Sequence, residues 1–185
     1  MKNKYFYLIG LIALFLVAIT SVALARSENQ AATGTLIDTV RLDTARFQDL
    51  SVAEAAGYSL LHGCVSSPEE GAMGVHYVKG DLVGDGVLDP SNPEALIYEF
   101  KNGKATLVGV EYVAIAEVWD ASHDGPPVLN GQLFDYRGSP NRDGIPAFYE
   151  LHVWAWKSNP LGTFADWNPS VSCDDYTAEA TAAHE

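Results

Sequence analysis

The chain has 185 residues, 48% of them apolar, with 11 Lys and Arg against 24 Asp and Glu and a formal charge of −13. That length and apolar content suit one domain with a hydrophobic core of its own. The acidic balance excludes a nucleic-acid partner or an anionic lipid surface, because phosphate binding needs Lys and Arg; it leaves a small molecule or a metal ion as partner.

Lys2 and Lys4 open the chain, residues 5–22 carry no charge, and Ala23-Leu24-Ala25 places small residues before Arg26. This three-part form predicts a secretory signal peptide over residues 1–25. The expected location is therefore exported: periplasmic, extracellular or cell-surface. The apolar run is also long enough to span a bilayer, so an uncleaved N-terminal anchor is the alternative and the one membrane association expected. Residues 26–37 are small and polar and read as a linker, 38–173 as a single domain, and 174–185 as a disordered acidic tail.

The domain opens with Val40, Ala45, Phe47, Leu50, Val52 and Ala55 at three- and four-residue spacings, which predict amphipathic helix. Two pieces are expected, 39–49 and 52–56, with Ser51 as N-cap, Glu54 completing a capping box and Gly57 as the stop. GVHYV (74–78) reads as a short strand. Residues 80–94 form a loop whose Asp81, Asp85 and Asp89 lack the alternating ligand spacing of a calcium loop; Asp-Gly turn chemistry explains them. Next come ALIYEF (95–100), Asn102-Gly103 and KATLVGVEYVAIAEVW (104–119). Asn-Gly between two such runs predicts a β-hairpin, with Val108, Val110 and Tyr112 on one face and Glu111 on the other. Residues 120–147, rich in Gly, Pro, Asn and Asp and carrying an exposed His123, read as a long loop serving as lid or pocket rim. YELHVWAW (149–156) is the last strand, and the segment 158–173 packs back on the body through Phe164, Trp167 and Val171.

The chain has two cysteines, Cys64 and Cys173. An even pair in an exported protein predicts a disulfide; the alternative, a pair of metal-binding thiols, lacks CxxC spacing. Helix first and strands after predict an α+β domain, an N-terminal helix packed on a curved, mostly antiparallel sheet, with a cystatin-like cone as one topology. The motifs HGCV, GVHYV, PEALIYE, LVGVEYV and LHVWAWKSNPLGTFADWNPSVSC resemble those of a family of small exported bacterial proteins of unassigned function. The resemblance covers about 40–173. It implies one exported domain and carries over no catalytic residue.

Three strands each hold one titratable group among apolar or aromatic neighbours: His76, Glu111 and His152. Alternation puts His76 opposite Tyr77, Glu111 opposite Tyr112, and His152 on the face of Glu150, Trp154 and Trp156. Lone buried charges are costly without partners, so the three are expected to converge on one interior site. Two histidines and a carboxylate form a ligand set for a divalent transition metal such as iron, copper or zinc, with His62 as a fourth ligand. A second reading is a metal-free pocket lined by Tyr77, Tyr112, Trp154 and Trp156, in which Glu111 and a histidine act as acid and base. A third is a non-enzymatic envelope or partner-binding module with neither metal nor catalysis. Whether the protein is an enzyme is left open, since no GxSxG or other catalytic signature occurs.

Overall fold

A computed structural model describes residues 34–177. The signal-peptide segment 1–25, linker residues 26–33 and tail residues 178–185 lie outside the described residues. The chain is α+β, an N-terminal helical layer followed by an open sheet in which every strand pair is antiparallel.

Residues 34–44 form α1, so the helix starts earlier than the expected linker boundary. Leu36, Val40 and Thr44, at i, i+4 and i+8, are fully buried and make the stripe that faces the sheet. A 3-10 turn, Ala45–Gln48, leads into α2, Leu50–Ala55. Asp49, not Ser51, caps α2: its carboxylate accepts from Ser51 N at 3.0 Å. An Asp one residue ahead of the helix already offers the oxygen that N-capping requires, and Ser51 becomes part of the first turn.

The strands are β1 (Ser59–Leu60), β2 (Val65–Ser67), β3 (Gly71–Val78), β4 (Ala95–Lys101), β5 (Lys104–Ile115), β6 (Val128–Leu129), β7 (Gln132–Leu133), β8 (Asp135–Arg137) and β9 (Phe148–Val153); two short helices, α3 (Gly80–Val83) and α4 (Ala116–Asp120), lie between them. The sheet order is β1-β3-β4-β5-β9-β8, with β2 pairing the first half of β3 on the edge where β1 pairs its end. The expected hairpin is β4–β5. Asn102 (φ 52°) and Gly103 (φ 74°) both occupy the left-handed region, the backbone that a two-residue hairpin with native strand twist needs. The long second strand is shorter than expected, since residues 116–120 are helical. The expected loop 120–147 holds a small β6–β7 hairpin and the edge strand β8.

One sheet face packs on the helices. Tyr77, Tyr98, Tyr112, Leu96, Val110 and Val153 are buried there with Leu36 and Val40. Buried tyrosines need a partner for their hydroxyls: Tyr98 donates to Phe47 O (2.6 Å), Tyr58 to Pro93 O (2.7 Å) and Tyr112 to Pro90 O (2.6 Å). Arg41 Nε donates to Ala155 O at 2.7 Å, and Trp156 Nε1 donates to Thr44 Oγ1 at 3.0 Å. These bonds fix the helical layer to one face, so the candidate site can form only on the other.

Two register shifts alter the expected alternation. Met73 is an extra residue on β3 against β2, and Val108 an extra residue on β5 against β4. A bulge reverses which face the residues on either side present. Val108 therefore joins Ile97, Ala72, Trp154 and Val171 on the face away from the helices, not Val110 and Tyr112 as simple alternation has it.

The segment 158–173 closes over that second face. Asn168 and Ala72 exchange backbone hydrogen bonds at 3.1 and 3.2 Å. The contact is so close that a Cβ on Gly71 (φ +97°) would sit 2.5 Å from Pro169 Cα and 2.6 Å from Asn168 O. Cys64 and Cys173 are joined as a disulfide, tying the loop before β2 to the end of this segment. Beyond it, Tyr176 of the expected tail packs edge-on against Phe100, ring centroids 5.5 Å apart.

Candidate metal and ligand site

Two cross-strand rows occupy the face away from the helices. One runs Val78, Ala95, Glu111, His152; the other runs His76, Ile97, Gly109. Glu111 and His152 are direct neighbours across β5 and β9. His76 lies a full strand away, on β3. The residue of β4 paired with Glu111 is Ala95, a single methyl, so little bulk stands between. His76 Nε2 comes within 3.5 Å of Glu111 Oε2. The His76 and His152 rings meet edge-on with centroids 5.8 Å apart. His76, Glu111 and His152 each offer one ligand atom, all within 4.8 Å of one another, and all three residues are buried. The expected convergence is therefore present.

His152 is 1% exposed, and neither ring nitrogen has a hydrogen-bond partner among the described residues. Asp166 Oδ1 stands 3.7 Å from Nδ1, beyond hydrogen-bond reach. A buried imidazole carries one donor and one acceptor, and leaving each unmade costs about 1–3 kcal/mol. Burial lowers the pKa of both histidines to about 3; the neighbouring His152 adds to this for His76, and the Arg137 and Arg142 charges add to it for His152. Both rings are thus neutral near pH 7, the form that ligates metal.

The carboxyl side of the site is a pair. Burial, then the charge of Glu150, hold Glu111 well above the usual carboxylate range, and the two carboxyls share a hydrogen bond. Burial also raises Glu150, opposed by Arg137. The Arg137 guanidinium on β8 donates to both Glu150 and Asp166. Glu150, His152 and Asp166 form a second group of ligand atoms within 4.8 Å, but its two carboxylates already hold this cation. Arg137 opposes the rise at Glu150 and is not among the causes at Glu111, so Glu111 is held the higher of the two.

A cavity of about 230 Å³ opens over the site. Glu111, Glu150, His76 and His152 form its buried floor, and Val65, Met73, Val78, Val83, Ile145 and Phe148 contribute its walls. His62, Arg142 and Asp143 stand at its mouth: His62 and Arg142 also line an adjoining open groove beside Cys64 and Ser66.

His62 does not join the three ligands. It pairs with Asp143 at 3.4 Å and lies outside the ligand group, because the loop before β2 holds it at the rim. None of the four aromatic residues expected to line the pocket does so. Tyr77 and Tyr112 point to the helix face, as alternation against His76 and Glu111 demands. Trp154 stacks beside His152 (6.2 Å between centroids) and donates to Ala165 O. Trp156 lies past the end of β9, where the chain turns, and reaches Thr44 on the helix side. Arg137, Arg142, Asp143 and Asp166 were not expected in the site. They come from loops and an edge strand with no periodicity, and no spacing in the sequence singles them out.

No protein-family model, curated protein or solved structure matches the chain. The functional reading rests on this geometry.

Proposed function

We propose that the protein is an exported single-domain binder of one divalent transition-metal ion, held by His76, Glu111 and His152 at the floor of a small-molecule cavity. One observation carries the reading: two neutral imidazoles and a carboxyl from three strands converge in the interior, and His152 has no partner for either nitrogen among the described residues. An ion about 2.1 Å from each ligand would set adjacent ligand atoms roughly 3.0–3.4 Å apart, and His76 Nε2 and Glu111 Oε2, at 3.5 Å, stand just beyond that spacing. Metal binding would require Glu111 as its carboxylate, releasing a proton. The cavity keeps the remaining coordination positions open to a ligand, as a functional rather than purely structural centre requires. The disulfide supports an oxidising, exported location, in line with the resemblance to exported bacterial proteins.

The test is elemental analysis and Co(II) titration of tag-free protein, comparing wild type with His76→Ala and His152→Ala. About one ion per chain is expected in wild type and a strong loss in both variants. Equal, negligible metal in all three would end the metal reading. The hydrogen-bonded Glu111–Glu150 pair supports one second reading, a metal-free acid/base pocket. The same titration separates the two.

A further inference from the structure

The cavity has a polar floor, an apolar middle and one unmatched cation at its mouth. Arg142 makes no ion pair among the described residues. Its Nη2 lies 3.5 Å from Met73 Sδ, and its guanidinium sits 5.8 Å from the centre of the Trp167 ring. Neither contact neutralises the charge. The adjacent carboxylate, Asp143, turns to His62 instead. In a chain with more than two acidic residues for every basic one, a guanidinium at a cavity mouth that no described carboxylate pairs is placed to meet an anionic ligand. Guanidinium matches carboxylate geometry with two parallel hydrogen bonds.

We infer that the cavity takes a small monocarboxylate with an apolar body. Its carboxylate meets Arg142, its body lies against Met73, Val78, Ile145 and Phe148, and its far end reaches the floor. The inference deepens the reading of this cavity as a ligand site and rests on that reading. The volume of about 230 Å³ is below the usual range for drug-sized ligands, which limits the occupant to a short chain or a single ring. The apolar body separates a carboxylate at the mouth from the floor, where Arg137 offsets part of the charge on Glu150 and Asp166.

The experiment is calorimetric titration of tag-free, disulfide-bonded protein with straight-chain carboxylates from butanoate to octanoate and with the matching primary amides. Each titration is run in EDTA and again with Zn(II). At least about tenfold preference for one carboxylate over its amide is expected, from the charge-assisted pair. In Arg142→Gln that preference should fall to about twofold or less, chiefly through lost carboxylate affinity; Arg142→Lys should retain part of it. Arg142 is exposed, and thermal melts of both variants check that the fold survives. Equal affinity for acid and amide in wild type, no binding of any member, or a preference that persists in Arg142→Gln would each overturn the inference. Carboxylate preference in EDTA without Zn(II) uptake would sink the metal reading and leave this one standing. Zn(II) uptake without carboxylate preference would do the reverse.

Discussion

His152→Leu is expected to make the metal-free protein more stable. The wild-type ring buries one donor and one acceptor with no partner among the described residues, a cost of about 1–3 kcal/mol each. Leucine is of similar size and has no polar atoms, and imperfect refilling of the site returns roughly 1–2 kcal/mol. A net gain of about 2 kcal/mol follows. For a protein of this length that corresponds to a rise in Tm of about 4–8 °C. The measurement belongs at pH 7.5. There the ring, whose pKa of about 3 in the fold is depressed from 6.5, is neutral in both folded and unfolded chains, so proton uptake on unfolding contributes little. In EDTA the variant should melt above wild type. With Zn(II) at about 100 times its Kd, wild type should gain about 2.7 kcal/mol and the variant nothing, so the order of the two melts closes or inverts. A variant that is less stable than wild type by 1 kcal/mol or more in EDTA would refute the reasoning, because it would mean that His152 is an ordinary, well-satisfied core residue. So would melts that Zn(II) leaves unmoved in both proteins.

Other outcomes can be checked by urea denaturation. The disulfide spans 109 positions, for which loop-closure entropy gives about 4.8 kcal/mol as an upper estimate; Cys64→Ser with Cys173→Ser should lose several kcal/mol, and a loss under 1 would count against a structural role. Gly71→Ala should cost about 2–4 kcal/mol, through positive-φ strain and overlap with Asn168 and Pro169. Gly103→Ala, at φ +74° with open space around it, isolates the strain alone and should cost about 1; equal losses would show that the close approach at Gly71 is not limiting. Glu94 is buried and its pKa is pushed up to about 8, mainly by burial. The folded chain holds a proton that the unfolded one releases from about pH 4.5, so this contribution is complete below that pH and declines as the pH rises toward 8, by roughly 5 kcal/mol at most. Glu94→Gln should match wild type near pH 5 and exceed it near pH 8, its amide oxygen still accepting from Val113 N as Oε2 does at 3.0 Å. Parallel pH profiles would contradict the buried-acid assignment.

The sequence by itself determined the features that depend on near neighbours. Asn102-Gly103 specifies a turn because few residues adopt positive φ at two successive positions. A lone cysteine pair predicts its own bond. Period-two alternation separates His76 from Tyr77 and Glu111 from Tyr112, because the pleat leaves a strand no other choice, and this was enough to pick the three converging residues. It failed where local backbone broke the period: the extra residue at Val108 moved that side chain to the other face, and the turn after Val153 carried Trp156 away from the site. Distances between strands were decided only by the tertiary structure. His76 reaches Glu111 because β4 lies between them with Ala95 at that point, and Glu111 meets His152 because β5 and β9 pair in that register. Arg137, Asp166 and Arg142 enter from an edge strand and two loops, whose positions are set by long-range packing and the 64–173 disulfide. No periodicity in a sequence encodes a loop's destination, because its path follows from where its ends and its buried anchors are held.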